Sequence, residues 1–133
     1  MPLIVEQAQG RVPVTVIEIH GDLDYSNYRE VIDLVQESYS AGARHLLIDL
    51  SDVPFMGSSG LVALHSAALI MSGESAPDPD AGWQAFHGVG AAAPQTHVKL
   101  LGLQPRVEQM LQRTALLRFF ETYADRGVAI DSF

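Results

Sequence analysis

Two adjacent hydroxyl side chains, Ser58 and Ser59, stand where a predicted strand leads into a predicted helix. The apolar run at residues 46–50 is short enough for a strand buried on both faces of a sheet. After Gly60, apolar side chains recur at helical spacing. A serine at a helix start can cap the helix or carry a phosphate, because unpaired backbone N–H groups and the helix dipole favour an anion there.

A hydrolytic triad of Asp49, Ser58 and His65 is disfavoured by the spacing of these residues. A nucleophile elbow needs Gly-x-Ser-x-Gly, and residues 57–60 read Gly-Ser-Ser-Gly. His65 lies two turns further along the same predicted helix, too far to act as a base for Ser58. The chain also lacks a phosphate-binding loop that ends in Lys-Ser or Lys-Thr. We therefore predict a protein that is not an enzyme and needs no cofactor.

The carboxylates of Asp22 and Asp24, close to His20, raise the question of a metal site. Alternation along the preceding strand directs the His20 side chain away from the loop carboxylates. None of the five histidines forms an i, i+4 pair. Solvated loop carboxylates are the simpler interpretation, so no metal ligands are predicted.

The composition is typical of a single globular domain. The chain has 133 residues, 47% of them hydrophobic, and no cysteine. A formal charge of −8, with only eight Lys and Arg and no run of them, argues against nucleic acid and against an anionic membrane surface. No signal peptide or membrane-length apolar span is present, so we expect a cytoplasmic protein without membrane insertion.

The hydrophobic pattern predicts an antiparallel hairpin in the first 20 residues, with a turn at residues 9–11. Asp24 or Ser26 is expected to cap the helix that follows. The further predicted elements are a helix at 28–39 ended by Gly42, a strand at 46–50, a helix at 61–71, a strand at 97–101, a helix behind Pro105, a strand at 116–123 and a last helical turn behind Asp125.

Residues 73–95 form a stretch rich in proline and glycine, without Lys or Arg, which predicts a long surface loop. The loop carries Trp83, the only tryptophan, and Phe86. The two rings either anchor the loop on the domain or contact a partner. We favour anchoring, because long ordered loops generally need such contacts.

Residues 49–61, Asp-Leu-Ser-x-Val-x-Phe-Met-x-Ser-Ser-Gly-Leu, resemble the signature of STAS domains, which are typified by the anti-sigma-factor antagonists of bacteria. The sequence Gly-Asp-Leu-Asp at 21–24 is similar to the Gly-Glu-Leu-Asp that ends a strand in the same family. The resemblance implies an α/β fold over residues 1–133: a mixed sheet with an antiparallel N-terminal hairpin, a parallel centre and helices mainly on one face. STAS domains usually lack the stretch at 73–95, which is therefore an insertion.

The resemblance also implies that Ser58 is the phosphoacceptor of a partner serine kinase. The residues expected around the phosphorylation site are Asp22, Asp24, Gly57, Ser59 and Gly60. The family usually has an aspartate where this chain has Gly57.

The implied partners are a serine kinase that also acts as an anti-sigma factor and a serine phosphatase that resets the switch. The unphosphorylated antagonist would bind the kinase and release the regulator that the kinase sequesters. Two alternatives remain open: a STAS scaffold or lipid-transport ATPase subunit that is not phosphorylated, and a module that binds a small anionic ligand or nucleotide. The oligomeric state is left open.

Overall fold

A computed structural model describes residues 3–71, 95–114 and 120–133 of the chain. The predicted insertion, with Trp83 and Phe86, lies outside the described residues apart from Gln95, and so does the first part of the strand predicted at 116–123. The roles proposed for the two rings therefore stay predictions.

Nine elements follow one another along the described residues. They are β1 (Leu3–Gln9), β2 (Pro13–His20), α1 (Tyr28–Ser40), β3 (Leu46–Asp52), α2 (Ser58–Met71), β4 (Gln95–Leu101), α3 (Pro105–Arg113), β5 (Phe120–Tyr123) and α4 (Arg126–Asp131). The strands form one sheet in the order β1-β2-β3-β4-β5. β1 pairs antiparallel with β2, and the other three pairs are parallel. The predicted mixed sheet is confirmed.

Side-chain alternation along the strands divides the core between the two faces of the sheet. In β3, Ile48 and Leu50 join a large cluster, whereas Leu47 joins a smaller one on the other face. The large cluster also contains buried side chains of α1, α2 and α3. Three of the four described helices therefore cover one face, as predicted.

The short helix α4 covers the other face. Ala129 of α4 is buried in the smaller cluster, and the Asp125 carboxylate caps the helix by accepting from the Val128 amide at 2.9 Å. Beneath it, the buried Lys99 ammonium donates to the carbonyl and to the hydroxyl of Ser132, each at 3.0 Å. The final helical turn predicted behind Asp125 is confirmed.

Two helix boundaries follow the local sequence. Gly42, which follows the C-cap residue Ala41 of α1, has a φ of +111°, a left-handed conformation that glycine adopts readily. Pro105 occupies the first turn of α3, where its missing N–H costs no hydrogen bond. Within the three described ranges, no helix combines the length and apolar character needed to cross a membrane.

Candidate functional site

Backbone hydrogen bonds join the loop after β2 to the loop after β3. The amide of Gly21 donates to the carbonyl of Asp52 at 2.9 Å, and the amide of Leu23 donates to the carbonyl of Phe55 at 3.1 Å. The amide of Gly57 then donates back to the carbonyl of Leu23 at 2.9 Å. Because these contacts use main-chain atoms, they fix the path of both loops up to the start of α2.

Two apolar side chains anchor the joined loops in the core. Leu23 and Met56, which form an isolated parallel bridge, are essentially fully buried. Gly60 packs directly against both residues. A Cβ at position 60 would overlap Met56 Cγ and would lie 3.1 Å from the Leu23 carbonyl oxygen. Only glycine therefore lets the first turn of α2 approach the loops this closely.

Ser58 is the first residue of α2, and its side chain is exposed. Ser59 is half-buried and Gly60 is buried. The carbonyl of Gly57 accepts from the amide of Gly60 at 3.0 Å, so Gly57, rather than the expected Ser58, occupies the capping position. The Ser58 hydroxyl thus lies on the surface at the positive end of the helix dipole, where the first N–H groups lack helical partners.

The Asp24 carboxylate is held by Ser26 on the loop that precedes α1. Its Oδ1 accepts from the Ser26 hydroxyl at 2.6 Å and from the Ser26 amide at 2.9 Å. These two hydrogen bonds lower the pKa of Asp24 below its ordinary value, so the carboxylate stays ionised. The prediction that Asp24 or Ser26 caps α1 is wrong, because their side chains bond to each other and Asn27 precedes the helix.

Asn27 organises the rest of this loop. Its side-chain oxygen accepts from the Asp24 amide at 3.0 Å, and its side-chain nitrogen donates to the Asp22 carbonyl at 2.8 Å. Asp22 itself is exposed. Of the five residues predicted around Ser58, Gly57, Ser59 and Gly60 adjoin it in the chain, and the joined loops bring Asp24 against Gly57. Asp22 lies on the same loop as Asp24, where its carbonyl accepts from Asn27.

Each of the joined loops carries one exposed aromatic residue. Tyr25 is 75% exposed and Phe55 is 41% exposed. They are two of the five large apolar side chains that the described residues expose; the others are Ile4, Val5 and Val128. Phe55 belongs to the motif at residues 49–61, whereas no sequence motif pointed to Tyr25 as a contact residue. The sequence signal for Tyr25 is its position directly after Gly-Asp-Leu-Asp at residues 21–24, a segment that is expected to lie near Ser58.

The triad considered in the sequence is not assembled. The Asp49 carboxylate accepts from the amide and hydroxyl of Ser51 at 2.9 and 2.5 Å. It alternates with Ile48 and Leu50, so it lies on the sheet face opposite α2, which carries His65. His65 is buried on α2, and burial lowers the pKa of its imidazole.

The contacts of the His20 side chain do not indicate a metal site. Its Nδ1 lies 2.8 Å from Asp52 Oδ2 and its Nε2 lies 3.4 Å from Glu18 Oε1, so each ring nitrogen contacts one carboxylate. No group of three or more His, Asp or Glu side chains within residues 3–71, 95–114 and 120–133 could hold a metal ion.

Comparisons with known proteins agree with this fold. The STAS domain model matches residues 6–69, which include both joined loops and the start of α2. An anti-sigma factor antagonist from Mycobacterium paratuberculosis is 21% identical, with a TM-score of 0.65 over 96% of this chain and 89% of that chain. No curated protein sequence matches significantly. The chain is therefore similar to the STAS domain family over residues 6–69, and it shares its fold with the solved antagonist structure.

The anti-sigma factor antagonist SpoIIAA has the same fold in two chemical states. The unphosphorylated form is 17% identical, with a TM-score of 0.57 over 97% of this chain and 94% of that chain. The phosphorylated form, described as a Bacillus cell fate determinant, is 16% identical, with a TM-score of 0.57 over 97% of this chain and 96% of that chain.

Proposed function

We propose that this chain is a non-enzymatic interaction module of the anti-sigma-factor antagonist type, which binds a serine kinase that also acts as an anti-sigma factor. Phosphorylation of Ser58 by that kinase switches the complex off, and a serine phosphatase restores it. The observation that carries this proposal is the exposed Ser58 hydroxyl at the start of α2, in a loop that backbone hydrogen bonds hold in place.

Electrostatics supports Ser58 as the switch. A phosphate adds about −1.5 to −2 charges and three strong acceptors at the helix start, where unpaired N–H groups tolerate an anion. The fold therefore need not change. The partner instead meets a dianion beside the ionised Asp24, where it previously met a neutral hydroxyl. Burying this charge without a cation costs several kcal/mol, of order the 3–5 kcal/mol lost when one member of a buried ion pair is removed.

The aromatic residues beside Ser58 support a protein partner rather than a small ligand. Tyr25 and Phe55 are large, rigid side chains that bury much area at a low entropy cost. The hydrogen-bonded loops hold them in place before binding, which reduces the ordering cost of the complex. A partner that fits this surface offers apolar pockets for the two rings and cations for Asp22 and Asp24.

One observation favours a second candidate function. Gly57 provides no carboxylate directly before Ser58, where the family resemblance implies an aspartate. If the kinase requires that carboxylate, the chain acts as a STAS scaffold or ATPase subunit that is never phosphorylated. The same protein–protein surface then serves a constitutive complex.

The test is incubation with the proposed partner kinase and ATP, followed by mass spectrometry of the chain. Phosphate is expected on Ser58 and is removed by the phosphatase. Ser58→Ala abolishes labelling, whereas Ser59→Ala retains it. Binding without labelling of the wild type would select the scaffold, and labelling that persists in Ser58→Ala would exclude Ser58 as the acceptor.

A binding measurement tests the electrostatic part of the switch. Ser58→Glu is expected to keep the thermal transition of the wild type and to weaken kinase binding at least about tenfold, which corresponds to about 1.4 kcal/mol. Ser58→Gln is the matched neutral control and retains most of the affinity. Equal calorimetric affinities for the Glu and Gln variants would rule out charge as the cause.

A further inference from the structure

The strand β1 forms one edge of the described sheet, and two of its apolar side chains are exposed. Ile4 is 43% exposed and Val5 is 41% exposed. They lie on opposite faces, because Val5 pairs with the core residue Ile17 and Ile4 pairs with Glu18. Among the described strands, none pairs with the outer side of β1.

Natural proteins usually protect such an edge from pairing with another chain. The common devices are a short strand, a bulge, a proline, or an exposed charge such as lysine. β1 has none of the first three, and its one charged residue is Glu6. It is seven residues long, contains neither Lys nor Pro, and pairs with β2 in a register that continues without a shift from Leu3 to Gln9.

The one charged side chain of β1, Glu6, is partly compensated within the molecule. Arg126 of α4 forms an ion pair with the Glu6 carboxylate, and its other terminal nitrogen lies 3.3 Å from Glu18 Oε2. Because Glu6 shares Arg126 with Glu18, its charge is only partly compensated, so it protects the edge less than a free charge would but still disfavours a second carboxylate directly opposite it. The edge is therefore regular in its pairing, apolar from Leu3 to Val5, and only weakly charged at Glu6.

We propose that β1 is an association surface for a second copy of this chain. The two copies pair their β1 strands antiparallel about a twofold axis at Val5 and form a continuous ten-stranded sheet. In this register Val5 lies opposite Val5 of the second copy, Ile4 lies opposite Glu6, and Leu3 lies opposite Gln7. Opposed residues share a face of the sheet, as antiparallel pairing requires.

Charge and strand length together select this register. Centring the pair on Glu6 would use more of the strand but would place two carboxylates directly opposite each other, which is destabilising. Centring on Ile4 would leave only three of the described β1 residues paired. At Val5 five residues pair, and the two Glu6 residues lie two positions apart, about 7 Å along the strand. Ile4 then packs on the aliphatic stems of Glu6 and Arg126 of the second copy.

The arrangement leaves the Ser58 site open in both copies. Leu3 pairs with Ile19, so the apolar part of β1 lies at the end of β2 that leads into the joined loops. A twofold axis normal to the sheet reverses every strand, so the two sites face opposite ends of the dimer. A five-residue strand pair buries less area than a stable dimer needs, so the association is weak and depends on concentration.

The chain contains no cysteine, so single-cysteine variants report the register directly. In Val5→Cys the two Cα atoms lie about 4.5–5.5 Å apart, within disulfide range. Gln9→Cys is the matched exposed control, because its copies are eight positions apart, roughly 26 Å. Under mild oxidation at high protein concentration, Val5→Cys is expected to form a disulfide dimer at least about tenfold faster than Gln9→Cys. Equal rates would overturn the proposal.

Sedimentation equilibrium of the cysteine-free chain provides an independent readout. The wild type is expected to show a reversible dimer that strengthens with salt, because each copy carries a net charge of −8. Val5→Lys weakens the dimer at least about tenfold, whereas Phe55→Lys, at an equally exposed position away from β1, does not. Circular dichroism verifies that both variants fold. A wild type that remains monomeric at every concentration would overturn the proposal.

Discussion

Gly57 lies next to Asp24, and the space between the two residues can hold a side chain. A Cβ added at position 57 would lie 3.7 Å from Asp24 Cβ and 3.8 Å from Phe55 Cε2, which are ordinary van der Waals distances. Position 57 therefore accepts a side chain, and a carboxylate placed there would join that of Asp24 beside Ser58. Steric crowding does not explain why residue 57 is a glycine. We therefore expect the glycine to affect recognition by the kinase.

The first prediction uses this space. Gly57→Asp should fold normally and should be phosphorylated severalfold faster by the partner kinase, because it restores the acidic residue that the family resemblance implies directly before Ser58. Gly57→Asn is the control, since it has nearly the same shape without the charge. Initial rates of phosphate incorporation decide the question, and equal rates for the two variants would show that the carboxylate is not recognised.

The second prediction concerns the aromatic residues. Tyr25→Ser and Phe55→Ser should each weaken kinase binding by about tenfold or more, because truncation removes a large anchor from a preorganised surface. Val128→Ser removes a comparably exposed apolar side chain from α4 and should leave binding unchanged. Isothermal titration calorimetry measures all three. If wild-type binding is detected and all variants match it, the aromatic residues are not anchors, although the partner assignment survives.

The third prediction concerns Gly60. Alanine usually favours a helix over glycine by about 1 kcal/mol, but here its Cβ would collide with Met56 and press on the Leu23 carbonyl. We expect Gly60→Ala to lower the free energy of unfolding by about 1–3 kcal/mol. Gly57→Ala, which meets nothing closer than 3.7 Å, is the matched control and should cost less. Urea denaturation of both variants provides the comparison, and a Gly60→Ala variant as stable as the wild type would contradict the packing argument.

The fourth prediction concerns pH. The hydrogen bond to Asp52 raises the pKa of His20 above its ordinary value, with a further contribution from the Glu18 carboxylate, which also contacts Arg126. Because the pKa of His20 is higher in the folded protein than in the unfolded chain, protonation of His20 stabilises the fold. This contribution is complete at pH values below the unfolded-state pKa of about 6.5. This contribution is lost as the pH rises through the folded-state pKa.

The measurement is the unfolding free energy of the wild type and of Asp52→Asn between about pH 5.5 and 8.5. The difference between the two proteins should shrink as the pH rises, because neutral His20 no longer forms a charge-assisted bond. His20→Gln should remove most of this pH dependence. A difference that stays constant across the range would show that the His20–Asp52 contact does not depend on protonation.

Local sequence predicted the elements well but predicted the joined loops poorly. The run at 46–50, Gly42 and Pro105 each carry a strong backbone preference, and each lies where that preference indicates. Asp24, Ser26 and Asn27 are all good capping residues, so their types alone could not reveal which one precedes α1. The decision depends on the Leu23–Phe55 backbone pairing, which joins residues far apart in the chain.

The surface features were hidden for a similar reason. Ile4 and Val5 read as half-buried strand residues, because hydrophobic alternation identifies a strand without showing whether it lies at an edge. Tyr25 is exposed only because the loop turns away from the core after Leu23 is buried. Both features depend on where an element lies in the sheet or loop, which a single sequence does not encode locally.

Main-chain atoms, which every amino acid carries, make the contacts that join the two loops. The side chains at positions 25, 55 and 57 can therefore change during evolution without breaking the frame that presents Ser58. A gene duplication could give two such proteins with different partners through a few substitutions at these positions. Cross-talk between parallel signalling pathways in one cell could then be suppressed while both proteins keep the same fold.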